Sequence, residues 1–162
     1  MSPAVKPIPE GYHSITPALV SPNANAAIEF YKKVFGATEK GGRALGPDGK
    51  IMHAELRIGD SLIFINDAMG PTGALSPEAK VHPLQLHLYV ESADAVFDKA
   101  VKAGARIVEP LQNMFWGDRY GKIADPDGHI WDIATHVEDV APQEMEKRMR
   151  QFVAKAAAGH RG

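Results

Sequence analysis

The stretch FWGDRYGKIADPDGHIWDIATH, residues 115–136, decides the fold. Its central turn, DPDG at 125–128, has the residue types that favour a β-turn. The turn separates two segments, 119–124 and 129–135, and each is predicted to be a strand. An aromatic loop beginning at Phe115 precedes the first of these strands. The segment therefore predicts an antiparallel strand pair that is entered through an aromatic loop.

The residues upstream of this pair predict a strand, a helix and a further strand. Residues 84–90 (LQLHLYV) alternate as a strand does, and Ser92 has the side chain of a helix N-cap. Gly104 is predicted to end the helix, and a strand is predicted at 106–109. The apolar residues that return at helical spacing are Val96, Phe97, Ala100 and Val101. Residues 84–136 thus form one predicted β-α-β-β-β unit.

The first half of the chain has the same order of elements. A strand at 13–20 leads to a helix with Ser21 as its predicted cap and Pro22 at its first position, and Gly36 ends this helix. Three more strands are predicted near 37–43, at 51–58 and at 61–66, with a turn at 46–49 and a two-residue hairpin at Gly59-Asp60. Two copies of one unit indicate a duplicated supersecondary structure, not a solenoid.

These patterns predict the domain organisation. Residues 1–10 are a flexible N-terminal arm, and residues 11–140 are one domain with units 11–68 and 84–136 joined by a linker at 69–83. Residues 141–162 are predicted as a C-terminal helix and tail. Apolar residues recur along that helix at Met145, Met149, Phe152, Val153 and Ala156.

The composition excludes several classes of protein. The chain has 162 residues, a net charge of −2 and no cysteine, so there is no electrostatic footprint for nucleic acid and no thiolate chemistry. No apolar run is long enough to span a membrane, and the N-terminus lacks the apolar region of a secretory signal. We expect a cytoplasmic protein without nucleic-acid or membrane partners.

Two rows of polar residues lie on predicted strands. His53 and Glu55 are two residues apart and therefore share a face of their strand, as do Gln85 and His87 on another. If the intervening apolar residues pack under the helices, these rows face a cavity. His53 and Glu55 are then candidates for substrate contact or general acid–base catalysis. A buried hydrogen-bond network, or a pair between Glu55 and Arg57, remains the alternative.

The aromatic loop is a further candidate site. Trp116 and Arg119 combine an aromatic ring with a charge near the start of a strand, and such loops often anchor a ligand or a partner subunit. A lid over the hydrophobic core is the alternative interpretation of the same residues.

This arrangement resembles the vicinal-oxygen-chelate superfamily (glyoxalase, bleomycin-resistance and dioxygenase proteins), and within it the PhnB-like, glyoxalase-like branch. The resemblance covers residues 12–140 and is carried by ITPALV (15–20), AIEFYKKVFGA (27–37), HAELRIGDS (53–61), NDAM (66–69), the stretch 115–136 and VEDV (137–140). It implies an α+β fold in which tandem β-α-β-β-β units form a curved mixed sheet around a cavity, followed here by a C-terminal helix. It also implies a homodimer.

The resemblance also implies where a metal would be held. In catalytic members, four side chains on the first and last strands of the two units bind a divalent ion that polarises substrate oxygens. The corresponding places are Ile15 or Thr16, Ile63 or Phe64, Gln85, and Asp132. Only Gln85 and Asp132 are clear matches, so no metal is predicted. A displaced divalent-metal site would use Gln85, His87, Asp132 and Glu55.

The predicted function is glyoxalase-like binding of a small organic molecule in a polar cavity. The predicted contacts are Thr16, Gln85, His87, Trp116, Arg119 and Asp132, with His53 and Glu55 as catalytic candidates. Two alternatives stay open. One is a divalent-metal-dependent lyase, isomerase or extradiol-type dioxygenase, and the other is a non-catalytic, antibiotic-sequestering protein of the bleomycin-resistance type.

Overall fold

The computed structural model describes residues 10–68 and 84–159, and side chains up to Lys155. Nearly all of the predicted N-terminal arm and the whole predicted linker at 69–83 lie outside the described residues. The chain divides into two compact units, with the boundary between Val81 and His82.

The first unit contains one helix and one mixed sheet. Strand β1 runs parallel to β5, β4 is antiparallel to β5, and β2 and β3 both pair antiparallel with β4. The elements in chain order are β1 (Ala18–Ser21), α1 (Ala24–Phe35), β2 (Thr38–Glu39), β3 (Ala44–Leu45), β4 (Ile51–Ile58) and β5 (Ser61–Asp67).

The second unit repeats this connectivity. Strand β6 runs parallel to β9, and β8 pairs antiparallel with both β9 and β7, so that the first and last strands are again parallel neighbours. The elements are β6 (Gln85–Tyr89), α2 (Ala93–Lys102), β7 (Arg106–Asn113), β8 (Asp118–Ala124), β9 (Ile130–His136) and the C-terminal helix α3 (Pro142–Gly159). The α+β class, the order of elements and the C-terminal helix are confirmed.

The start of the first unit differs from the prediction. The first strand covers Ala18–Ser21, not 13–20, and Pro17, which has no N–H to donate, stands just before it. The helix cap is Asn23, whose side chain accepts a hydrogen bond from the Ala26 N–H, while Ser21 still belongs to the strand. Ser21 Oγ accepts instead from the Asn23 N–H at 3.0 Å. The prediction of Ser21 as the cap was therefore wrong.

Three further boundaries also differ. The strand predicted at 37–43 is two short strands on either side of Gly41, which has a positive φ of 74°. The strand predicted at 106–109 extends to Asn113 because β7 continues along β8, with register shifts between its paired segments. Helix α2 is capped by Ala103, with Gly104 following at a φ of 100°.

The two strands that carry the polar rows have the predicted alternation. Ala54, Leu56 and Ile58 of β4 are buried, and the residues between them are only half-buried. On β6, Leu86 and Leu88 are half-buried, while the alternate residues Gln85, His87 and Tyr89 are exposed. The polar rows therefore lie on the sheet faces opposite the apolar faces of the strands. Within the described residues, no helix is long and apolar enough to cross a membrane.

Candidate functional site

The exposed face of the second unit's sheet carries a cluster of polar and aromatic side chains, which we call the second polar face. The β6–β9 register places His87 beside Asp132, and the β8–β9 register places Lys122 on the other side of Asp132. Paired residues of neighbouring strands point to the same side of a sheet. The face consists of Gln85, His87, Tyr89, Asp118, Tyr120, Lys122 and Asp132, with Trp116 at its edge.

Asp132 lies near the centre of the second polar face and is only 9% exposed. The Tyr120 hydroxyl donates to its Oδ1 at 3.0 Å, and His87 Nδ1 lies 3.5 Å from its Oδ2. Burial, and secondly the bond to Asp132, raise the pKa of Tyr120, so this hydroxyl remains a donor. The His87 and Tyr120 rings are stacked with centroids 6.1 Å apart. The carboxylate thus has partners on both neighbouring strands.

A lysine also stands beside this carboxylate. Lys122 Nζ lies 3.9 Å from Asp132 Oδ1 and donates to Glu109 Oε1 at 3.0 Å. The bond to Glu109 is the largest cause that raises the pKa of Lys122, so the ammonium stays charged. A positive charge therefore already occupies the space next to Asp132.

Asp118 forms a second, more deeply buried cluster on this face and is 2% exposed. Its Oδ2 accepts from the Tyr89 hydroxyl and from Trp116 Nε1, each at 3.0 Å. Its Oδ1 lies 2.8 Å from Nδ1 of His136, whose Nε2 contacts the exposed Asp139 at 2.9 Å.

The ionisation of these groups follows from the contacts. Burial would raise the pKa of Asp118, but the bonds from His136, Tyr89 and Trp116 outweigh it and lower that pKa. Asp139, and then Asp118, raise the pKa of His136. Burial and the bond to Asp118 raise the pKa of Tyr89. The cluster is therefore a carboxylate that holds three donors in fixed positions.

A groove opens beside the Asp118 cluster. Its volume is about 600 Å³, and its lining is Tyr89, Val90, Glu91, Thr135 and His136. Tyr89 is 60% exposed, so its ring stands open to solvent while its hydroxyl is fixed on Asp118. The groove is shallow and open to solvent, and its volume lies in the range of small-molecule sites.

The exposed sheet face of the first unit, the first polar face, has a related composition. Glu55 of β4 accepts a short hydrogen bond from the Tyr12 hydroxyl, and its Oε1 lies 3.3 Å from His53 Nε2. The bond from Tyr12 is the largest cause that lowers the pKa of Glu55. Phe64 pairs with Glu55 across β4 and β5, and its ring contacts the His53 ring at 4.8 Å. The face consists of Lys40, His53, Glu55, Arg57 and Phe64, with Tyr12 beside it.

The structure brings some of the predicted site residues together and separates others. His53 is in contact with Glu55, His87 is in contact with Asp132, and Trp116 lies within the Asp118 cluster. The roles predicted for these five residues stay predictions.

Three predicted contact residues stand apart from these clusters. Gln85 is exposed at the start of β6, and Thr16 lies ahead of β1, not within it. Arg119 has the opposite strand parity and points toward α2, where it forms two hydrogen bonds to Asp94 at 2.8 and 3.1 Å. The structure therefore does not group Arg119 with the other predicted contacts.

The side chains do not fit the metal centre that the superfamily resemblance implies. The parallel pair His87 and Asp132 of the second unit corresponds to Ala18 and Phe64 of the first, which offer no ligand atom. The Lys122 ammonium and the Tyr120 hydroxyl already contact Asp132. Among residues 10–68 and 84–159, no three His, Asp or Glu side chains are close enough together to hold a metal ion.

Sequence reasoning missed five residues of these faces: Tyr12, Lys40, Asp118, Tyr120 and Lys122. Asp118, Tyr120 and Lys122 share a strand parity, so the alternation along β8 was a usable signal for them. The sequence contains no comparable signal for Tyr12, because it reaches Glu55 across 43 residues of chain.

Known proteins share this fold and part of this sequence. The profile of the Glyoxalase/Bleomycin resistance protein/Dioxygenase superfamily matches residues 13–133. The Mycobacterium tuberculosis protein Rv0887c is 40% identical over 140 residues, which is 84% of this chain and 82% of that protein.

Solved structures share the fold. TioX from Micromonospora sp. ML1 is 28% identical, with a TM-score of 0.60 over 76% of this chain and 98% of that one. A PhnB protein from Bacillus cereus has a TM-score of 0.60 over 76% of this chain and 99% of that one. At 21% identity it shows the fold alone, so the PhnB-like branch stays a prediction. The match of the superfamily profile and the 40% identity over most of the chain lead to one conclusion: this chain belongs to the Glyoxalase/Bleomycin resistance protein/Dioxygenase superfamily.

Proposed function

We propose that this protein binds a small organic molecule and that the second polar face, with the groove at its end, supplies the binding surface. One observation carries the proposal. Two nearly buried carboxylates, Asp118 and Asp132, hold tyrosine, tryptophan and histidine side chains in place on an open sheet face.

The aromatic side chains of this face are preorganised for a ligand. An aromatic ring whose polar atom is already bonded loses little conformational freedom when a ligand stacks on it. The Tyr89 hydroxyl and the Trp116 indole N–H are bonded to one carboxylate, and their rings flank the face. A packed structural network would cover these rings, whereas Tyr89 is 60% exposed.

Ligand binding is common to the two rival functions of the superfamily resemblance. A sequestering protein needs only the surface described above. A divalent-metal lyase, isomerase or dioxygenase also needs a ligand set that these residues do not provide. We therefore propose binding as the function and derive no metal-dependent step.

The experiment uses the two tryptophans of the chain as reporters. Trp116 lies on the second polar face, while Trp131 is buried and donates to Asp125 at 3.1 Å. We expect neutral aromatic probes, indole and benzamide, to shift the Trp116 indole N–H signal in a ¹H–¹⁵N spectrum of the whole protein and to leave the Trp131 signal in place.

The Tyr89→Ala variant should weaken this response about fivefold or more, because stacking area at the groove is lost. Val101→Ala, which truncates an exposed apolar side chain on helix α2, is the matched control and should not change it. Equal shifts of both indole signals, or an unchanged response in Tyr89→Ala, would contradict the proposal.

A further inference from the structure

We propose that the first polar face binds the carboxylate of a small aromatic acid through Arg57 and Lys40. This inference goes beyond the proposed function, because it concerns the other unit's sheet face and names a ligand class: an organic anion with an apolar ring.

The first observation is an imbalance of charge. Within the described part of the chain, seven basic side chains of lysine or arginine are half-buried, and five of them have a carboxylate partner within 4.0 Å. The five are Lys32, Arg43, Arg119, Lys122 and Arg148. The other two, Arg57 and Lys40, have no carboxylate within 4.0 Å among the described residues. Glu55 lies opposite Lys40 across β2 and β4 and offsets part of its charge, but the face still has two partly desolvated cations and only one carboxylate.

The second observation is that the two cations share a face. Arg57 pairs with Thr38 across β2 and β4. The Lys40 N–H donates to the Glu55 carbonyl oxygen at 2.9 Å, so the antiparallel pairing extends to Lys40 and Glu55. Lys40 and Arg57 are therefore diagonal neighbours on one side of the sheet, where like charges repel each other. An anion between them would remove this repulsion.

Glu55 does not fill that role. Its two oxygens are directed at the Tyr12 hydroxyl and at His53, and it has no ion pair with either cation. It lowers the net positive charge of the face without occupying the position between the two cations.

The third observation concerns the apolar part of the ligand. Lys40 Nζ lies 3.6 Å from the centre of the Tyr12 ring, and the Tyr12 and Phe64 rings are 6.3 Å apart. An aromatic surface thus lies directly beside the cations. A ligand that places a ring on this surface and a carboxylate on the Arg57 fork would use both features, because guanidinium and carboxylate match as a bidentate pair.

The test compares three aromatic probes of similar size on the ¹⁵N-labelled full chain: benzoate, benzyl alcohol and benzylammonium. We expect benzoate alone to shift the amide signals of residues 38–40 and 55–57 with a saturable, millimolar dependence. Arg57→Ala should weaken benzoate binding about tenfold. Arg106→Ala, which removes an exposed arginine of the second unit, is the matched control and should leave binding unchanged.

Lys40→Gln provides a second, independent variant in case Arg57→Ala fails to fold, and it should weaken benzoate binding as well. Equal response to benzoate and benzyl alcohol would overturn the anion site, and so would a benzoate affinity unaffected by Lys40→Gln. Because the neutral probes of the second polar face are followed at the Trp116 indole, failure of the anion site and failure of the proposed function give different results.

Discussion

At the scale of single residues, the second polar face is governed by the partners of its two buried aspartates. Asp118 accepts from three side chains, and Asp132 is placed between a tyrosine, a histidine and a lysine. A buried carboxylate with such partners is already compensated, which makes it a structural anchor for the side chains around it. The same compensation lowers its capacity to ligate a cation.

A prediction about metal follows from the surroundings of Asp132. We expect purified protein to contain much less than one divalent ion per chain, and a chelator to leave its melting temperature unchanged. Lys122 occupies the side of Asp132 that an ion would approach, and the equivalent strand positions of the first unit are Ala18 and Phe64. Elemental analysis and thermal melts measure both quantities. One tightly bound ion per chain that is lost in Asp132→Ala would prove the prediction wrong.

A second prediction concerns His136 and pH. Asp139 and Asp118 raise its pKa in the folded protein, so its contribution to stability is fully present below the unfolded pKa of about 6.5 and is lost as pH rises through the folded value. We expect an NMR titration to give a His136 pKa above about 6.5. Asp139→Asn and Asp118→Asn should each lower it.

Denaturation should show the same linkage. The difference in unfolding free energy between wild type and His136→Gln should shrink as pH is raised above the folded pKa. A difference that grows with pH would contradict the assignment.

At the scale of elements, the two units use one device to attach their helices. The N–H of Ala24 donates to Asp67 of β5 at 2.6 Å, and the N–H of Ala93 donates to Thr135 of β9 at 2.7 Å. In each unit, a side chain near the end of the last strand therefore satisfies an N–H group at the start of the helix. This tie fixes which sheet face the helix covers and leaves the opposite face free for the polar rows.

The loop that carries Trp116 depends on a glycine. Gly117 has a φ of +100°, and a Cβ there would lie 2.1 Å from the carbonyl oxygen of Glu138. Its own carbonyl oxygen accepts from the N–H groups of Val137 and Glu138. The loop and the segment after β9 are thus in direct backbone contact, which only a residue without a side chain permits.

Alanine substitutions at two glycines distinguish the cost of backbone strain from the cost of this close contact. Gly104 has the same φ of +100° with nothing within 4 Å of its Cβ position, so Gly104→Ala should cost only the strain, about 1–2 kcal/mol. Gly117→Ala should cost at least about 2 kcal/mol more, because backbone must move. Urea denaturation gives both values. Equal destabilisation of the two variants would show that the close contact does not matter.

At the scale of the whole molecule, helix α3 leaves apolar surface uncovered. Arg148 attaches the helix to the second unit through Glu138 at 2.8 Å, and Phe152 contacts the Phe115 ring at 5.1 Å. Even so, Met149, Phe152 and Val153 are 49%, 50% and 60% exposed. A stripe of this kind is a candidate for subunit association.

We expect the protein to be a homodimer that buries this stripe. Light scattering of the wild type should give twice the chain mass at micromolar concentration, and Val153→Glu should shift the protein toward the monomer while preserving helix propensity. Lys155→Glu, at an exposed polar position of the same helix, is the control and should remain dimeric. A monomer mass without concentration dependence in the wild type would reject the prediction.

Local pattern was sufficient for much of this fold. Period-two alternation predicted β4 with its observed bounds and placed His53 and Glu55 on one face, and the same alternation grouped Gln85 with His87. Alternation works because side-chain direction in a strand is set by the pleat, which is a local property. The duplication could be predicted from the sequence for the same reason, because the local patterns of both units predict the same order of strands and helix.

The partners of the polar residues were decided only by tertiary structure. Tyr12 meets Glu55 across 43 residues, Tyr89 meets Asp118 across 29, and Lys122 faces Asp132 through the β8–β9 register. Register depends on how distant segments align, which no local period encodes. Sequence alone therefore determined which side chains share a strand face, whereas tertiary structure decided that Asp132 is compensated by Lys122 and that Arg57 and Lys40 lie side by side.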